Sequence, residues 1–242
     1  MKRSVVLFLI AMLVVVSTPV FAQPDGLHTA YDAILKAFVT NGRVDYAALK
    51  INRSQLDSYL DRLGRIDKEE FDAWSMDARL AYLINLYNAA TLKLIVDHYP
   101  VKSIKYIGSF FKGPWDLSVV ERFGETITLN TLEHDIIRKQ YREPRVHMAL
   151  VCAARGCPPL RSEAYTARAL DRQLDNQSRI YLSSPEGMRI DRSAGKVYLS
   201  SIFKWYREDF SSVTGFAEAH TGQKLEGLTL RWIDYDWTLN GQ

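Results

Sequence analysis

A chain of 242 residues, 47% of them hydrophobic and with no low-complexity tract, is long enough to bury one substantial core. Its 31 basic and 28 acidic side chains nearly balance, and no arginine-lysine block stands out. Nucleic acid and an anionic membrane surface are therefore poor partners for it.

Residues 1–22 have the plan of a secretory leader. Lys2 and Arg3 precede an apolar run from Val5 to Val16, and Val20-Phe21-Ala22 offers small residues at both recognition positions. Cleavage is expected after Ala22, leaving a periplasmic or secreted protein. The run is shorter than the ~20 residues of a membrane span, so no stable insertion is expected once it is removed. Without Lys2 and Arg3, 29 basic side chains face 28 acidic ones. Residues 23–242 show no repeat and no dividing linker and read as a single globular domain.

Within that domain, Tyr31, Ile34, Leu35 and Phe38 recur at spacings of three and four, which predicts a first helix. Gly42 interrupts it, Val44-Asp45-Tyr46 suits a short extended piece, and a second helix is expected over Leu49 to Leu63. Ser75 is placed to cap a third helix from Met76 to His98, which Pro100 stops. This helix is apolar nearly all round, as a helix buried in the middle of a domain must be. Asn85 and Asn88 share one of its faces. After an aromatic loop from Tyr106 to Trp115, Val119 to Thr128 suits a β-hairpin broken at Phe123-Gly124. A helix is expected over Asn130 to Tyr141 and a central strand over Arg145 to Cys152, which is apolar on both faces. A helix over Thr166 to Leu182, a hairpin pairing Met188–Ile190 with Val197–Leu199, and a short helix behind Ser200-Ser201 through Phe210 follow. Tyr235-Asp236-Trp237 closes the domain. The fold class is α+β, with a buried central helix packed on a mainly antiparallel sheet.

The reactive side chains concentrate between Leu129 and Leu160, which hold both cysteines and two of the five histidines. A thiol needs a base to become a nucleophile, and the base needs an orienting group. Glu133 falls near the centre of its helix's apolar arc, where a lone charge is costly. The alternative for it is a capping box with Asn130. On a regular strand His147 and Cys152 point to opposite faces, which favours His134 as the base for Cys152. Cys152 and Cys157 are open to three states: a disulfide, as is common in exported proteins, a nucleophile, or two plain thiols. Zinc is disfavoured, since neither a C-x-x-C nor an H-x₃-H spacing is present, and no metal or other cofactor is expected. Arg138, Arg145 and Arg161 could receive substrate carboxylates.

Several motifs resemble the domain-of-unknown-function family 547. They are Ile84-Asn85-Leu86-Tyr87-Asn88-Ala89, Leu132-Glu133-His134-Asp135-Ile136-Ile137-Arg138, His147-Met148-Ala149-Leu150-Val151-Cys152 and Cys157-Pro158-Pro159-Leu160. Leu199 to Tyr206 and Tyr235 to Asn240 extend the likeness to the C-terminus. The resemblance implies a relative of papain-type or transglutaminase-type thiol enzymes. It points to Cys152, His134 or His147, and Glu133 as the reactive set, with Asn85 and Asn88 as polar support. Two functions follow as expectations. One is a cysteine-dependent hydrolase or transferase acting on an amide or peptide-like bond, with backbone N–H groups of Ala153 to Gly156 holding the oxyanion. The other is a non-catalytic module binding a small peptide or thiol-containing molecule, with Cys152–Cys157 as a staple and Asn85, Asn88, Arg138 and Arg161 toward the ligand.

Overall fold

The computed structural model describes residues 24–242. The expected leader and its junction at Gln23 lie outside the described residues. A 3₁₀ turn, Pro24–His28, leads into α1, Thr29–Phe38, which buries Tyr31, Ile34 and Leu35 as the spacing predicts. Asn41 and Gly42, both at positive φ, reverse the chain between β1, Val39–Thr40, and β2, Arg43–Val44. The expected second helix starts earlier and breaks in two. Asp45 Oδ1 accepts the Ala48 N–H at 2.9 Å and starts α2, Tyr46–Ile51, before α3, Ser54–Gly64. A further helix, α4, covers Lys68–Ala73.

The third predicted helix is α5, Met76–His98, with Ser75 Oγ accepting the Ala78 N–H at 3.2 Å. Every residue from Leu80 to Leu92 is buried, so α5 is the axis of the domain. Beyond it the hairpin of β3, Ser118–Arg122, and β4, Glu125–Thr128, turns at Phe123 and Gly124, both at positive φ. A π-helix, Thr131–Arg138, runs on into α6, Lys139–Tyr141. After α7, Leu170–Leu182, come β5, Met188–Asp191, and β6, Lys196–Ser200, then α8, Ser201–Trp205, and α9, Val213–Thr221. Finally β7, Thr229–Ile233, lies parallel to β6, with Lys196 beside Thr229 and Ser200 beside Ile233. The α+β class therefore holds, with three small sheets among the described residues, β1–β2, β3–β4 and β5–β6–β7, arranged around the helices.

One expectation fails. Arg145 to Cys152 is not a strand but a 3₁₀ helix, Pro144–Met148, followed by irregular chain. Pro144 at the first helical position has the φ a helical turn needs. Glu143 Oε1 accepts the Arg145 N–H at 3.0 Å, and the Val146 carbonyl accepts from Ala149 and Leu150, both at 2.9 Å. The run is apolar on all sides because it sits between two cores. Val146, Ala149 and Leu150 enter the core around α5, while Met148 enters a second one with Tyr181, Leu199 and Phe203.

The buried Asn85 and Asn88 of α5 act as clamps on this irregular chain. Asn88 Nδ2 donates to the Ala149 carbonyl at 2.9 Å, and Asn88 Oδ1 accepts the Val151 N–H at 2.9 Å. Asn85 does the same to Tyr165, donating at 2.8 Å and accepting at 3.0 Å. Each amide replaces the neighbouring strand that these buried backbone groups would otherwise need.

His28 offers a test of how burial couples to pH. It is buried, with Nδ1 2.7 Å from the Tyr59 hydroxyl, and desolvation lowers its pKa to about 4. The unfolded histidine titrates near ~6.5, so between these values the unfolded chain binds more protons than the folded one. The folded state accordingly loses stability as pH falls from the unfolded value through about 4, a loss on the order of 3 kcal/mol when complete. Urea unfolding across this window should show the His28→Gln variant losing less stability than the parent. Equal slopes would contradict the neutral buried imidazole.

Candidate active site

At the seam between the two cores lies a cavity of about 220 Å³ that contains both cysteines, Glu133, His134 and His147. Its walls are aromatic: Tyr87 from α5, Trp115 from the loop before β3, Trp205 and Tyr206 at the end of α8, and Tyr235 and Trp237 from the C-terminal segment. Trp205, Tyr235 and Trp237 pack on one another with ring centroids 4.7–5.8 Å apart. Rings at such distances form a rigid apolar wall with few side-chain freedoms left to lose on binding.

His147 comes from the 3₁₀ helix Pro144–Met148 and is 3% exposed. Its Nε2 donates to Asp209 Oδ2 at 2.6 Å, and its ring stacks on Tyr206 at 4.1 Å. Burial lowers the pKa of His147, against the opposing pull of Asp209 and Glu133. The neutral imidazole therefore carries its proton on Nε2 and leaves the Nδ1 lone pair free to accept one. For Asp209, burial favours the neutral acid, but hydrogen bonds from Arg138 and His147 outweigh it and hold the carboxyl below its ordinary range. Arg138 grips Asp209 with two bonds, Nε to Oδ2 at 2.7 Å and Nη2 to Oδ1 at 2.9 Å.

The π-helix Thr131–Arg138 supplies Glu133, His134 and Arg138, and its wide turn is of the kind found at functional sites. Glu133 is 6% exposed. The capping-box alternative does not apply, because Asn130 is already helical and makes no side-chain cap. Thr128 Oγ1 instead accepts the Thr131 N–H at 2.9 Å, and Asn130 Nδ2 donates to Asp116 Oδ1 at 2.6 Å. Glu133 faces the phenols of Tyr87 and Tyr206. Burial first, and then this carboxylate, raises both phenol pKa values and keeps the hydroxyls protonated. His134 Nδ1 accepts from Arg138 Nη1 at 2.9 Å. The strand alternation that favoured His134 as base is absent, and His147 is the histidine with a carboxylate on its ring.

Cys152 and Cys157 form a disulfide across a short loop, with Cα atoms 6.3 Å apart. The loop is held from both ends. Asn240 N–H donates to the Ala153 carbonyl at 3.0 Å, while the Arg155 and Gly156 N–H groups donate to the Thr238 and Asp236 carbonyls at 2.8 and 2.9 Å. These two N–H groups are therefore taken and do not serve the oxyanion role expected of them. Gly156 leaves little room for a Cβ, which would stand 3.0 Å from the Asp236 nitrogen and 3.1 Å from the Tyr235 ring. That close approach brings the Tyr235 hydroxyl within 3.1 Å of each sulfur. Burial raises the Tyr235 pKa well above its ordinary value, so its hydroxyl stays a donor.

The other expected ligand contacts lie elsewhere. Asn85 and Asn88 spend their amides on backbone, as described above, and do not line the cavity. Arg138 is occupied by Asp209, Glu208 and His134. Arg145 pairs with Glu143 and Asp171, and Arg161 with Glu163, Asn176 and Gln177. Asp209 and Tyr235 are the contributors that sequence reasoning missed. The acidic pair Glu208-Asp209, just beyond the Leu199 to Tyr206 motif, was the available signal.

A family model described as "Protein of unknown function, DUF547" matches residues 71–182. The matched interval takes in α5, the π-helix and both cysteines, and leaves Asp209 and Tyr235 beyond it. This supports the DUF547 resemblance. No curated protein and no solved structure matches the chain.

Proposed function

We propose, for a chain whose residues 71–182 fall in DUF547, a cysteine-dependent hydrolase or transferase acting on an amide or peptide-like bond. The setting we propose for it is periplasmic or extracellular, from the leader-like residues 1–22. The observation that carries the reading is the joining, in one aromatic cavity, of Cys152 with a neutral His147 whose Nε2 is held by Asp209.

The reaction begins from the reduced protein. An external dithiol exchanges with the Cys152–Cys157 disulfide, leaving two thiols and an oxidised donor. His147 Nδ1 takes the Cys152 proton, and the thiolate attacks the acyl carbon, forming a C–S bond as the carbonyl electrons move to oxygen. The Tyr235 hydroxyl, already beside the sulfur, donates to that oxygen. The imidazolium then protonates the leaving amine as the C–N bond breaks. Water, or a second amine, takes the acyl group from the thioester and frees Cys152.

The disulfide itself favours a second reading, a stapled module that binds a small peptide or thiol without chemistry. Alkylation of the reduced protein at graded pH, read by peptide mass mapping, separates the two. Cys152 is expected to label before Cys157 and to keep its advantage near neutral pH, where a base beside it raises the thiolate fraction. Equal labelling of the two, or faster labelling of Cys157, would leave the stapled module.

A further inference from the structure

Beyond the wall formed by Tyr235 and Trp237 lies a second, larger hollow of about 1030 Å³. Those two residues line both hollows, so a single aromatic partition separates the groove from the cysteine cavity. We propose that this groove binds the anionic arm of the ligand, so that the compounds brought to Cys152 are extended amides or peptides bearing carboxylates. The catalytic part of this statement rests on the function proposed above, while the binding part stands on its own.

Three cations line the groove, Lys102, Lys105 and Arg155, and none of them pairs with a carboxylate among the described residues. The arginines expected from the sequence to receive carboxylates behave differently: Arg138, Arg145 and Arg161 are all committed to carboxylates of the chain itself. The groove also holds two aspartates, whose carboxylates accept from backbone, and Asp236 stays anionic within electrostatic reach of Arg155. Asp45 Oδ1 accepts the Ala48 N–H at 2.9 Å, and Asp236 Oδ1 accepts the Thr238 N–H at 2.8 Å. Lys105 Nζ stands 5.0 Å from the centre of the Trp237 ring, which places one cation directly on the partition. Arg155 belongs to the Cys152–Cys157 loop itself, and its N–H is pinned to the Thr238 carbonyl at 2.8 Å. Arg155 therefore extends a cation from the disulfide loop to the groove.

The test uses the disulfide-intact protein and two probes, acetyl-Ala-Ala-Glu-Glu and the uncharged acetyl-Ala-Ala-Gln-Gln amide, titrated by tryptophan fluorescence. The acidic peptide is expected to bind about tenfold more tightly at low salt, and the preference should shrink as salt screens the exposed cations. Lys105→Gln and Arg155→Gln should each weaken the acidic peptide by about two- to fivefold and leave the neutral one unchanged. Both side chains are exposed, and urea midpoints equal to the parent's would show that the variants are folded. Equal affinity for the two peptides, no binding of either, or variants that weaken both alike would overturn the proposal. Because no free thiol is needed, loss of the anion preference leaves the alkylation result standing. Conversely, an unreactive Cys152 leaves groove binding intact.

Discussion

Asn88→Ala is expected to lower the unfolding free energy by about 2–6 kcal/mol, read as a drop in the urea midpoint with an unchanged slope. The Asn88 side chain is buried on α5 and satisfies two backbone groups at once, the Ala149 carbonyl and the Val151 N–H. Removing it orphans both, at ~1–3 kcal/mol each. A domain of this kind is held by only about 5–15 kcal/mol in total, so one amide carries a large fraction of the margin. The same chain segment runs between His147 and Cys152. The variant should therefore also loosen the cavity, seen as faster exchange of the Val151 amide. A midpoint within experimental error of the parent's would show that the irregular chain finds other partners and that the clamp is incidental.

The second large effect concerns chemistry. His147→Ala is expected to lower turnover of an amide substrate by about 10²–10⁴-fold, the usual contribution of a positioned general base. His134→Ala should cost far less, because His134 Nδ1 faces Arg138 and has no carboxylate behind it. Asp209→Asn gives a finer test through pH. Burial pushes the His147 pKa down, while the Asp209 hydrogen bond and the Glu133 and Asp209 charges pull it up. Removing the Asp209 charge lets burial act with less opposition, so the acid limb of the rate profile should move to lower pH as the maximal rate falls. An acid limb that moves to higher pH, or does not move, would contradict Asp209 as the partner that sets this histidine.

How much of this was legible in the sequence depends on how local each cause is. The bounds of α5 could be read because Ser75, Pro100 and an all-round apolar pattern are local signals. The β3–β4 and β5–β6 hairpins were legible for the same reason, through Phe123-Gly124 and through short alternating runs. The segment after Pro144 was misread because a short apolar run looks alike in a buried strand and a buried turn. What decided the outcome was Asn88, 61 and 63 residues from the groups it holds. β7 was missed because it is largely solvent-facing and gains its pairing with β6 across a long crossover. In the site, the cysteines, both histidines and the inward Glu133 could be named from their clustering. Asp209 could not, since it reaches His147 only after α8 turns back over the seam, 62 residues on.

The most direct measurement traps the acyl group. Reduced protein is mixed with an activated ester such as p-nitrophenyl acetate, quenched in acid, and mapped by peptide mass spectrometry. The predicted result is an acetyl group on Cys152 ahead of every other residue. It should be absent from the oxidised protein and strongly delayed in His147→Ala. Acetylation that reaches Cys157 first, or that spreads over surface lysines with Cys152 unmodified, would contradict a nucleophilic Cys152 and leave the cavity as a binding site alone.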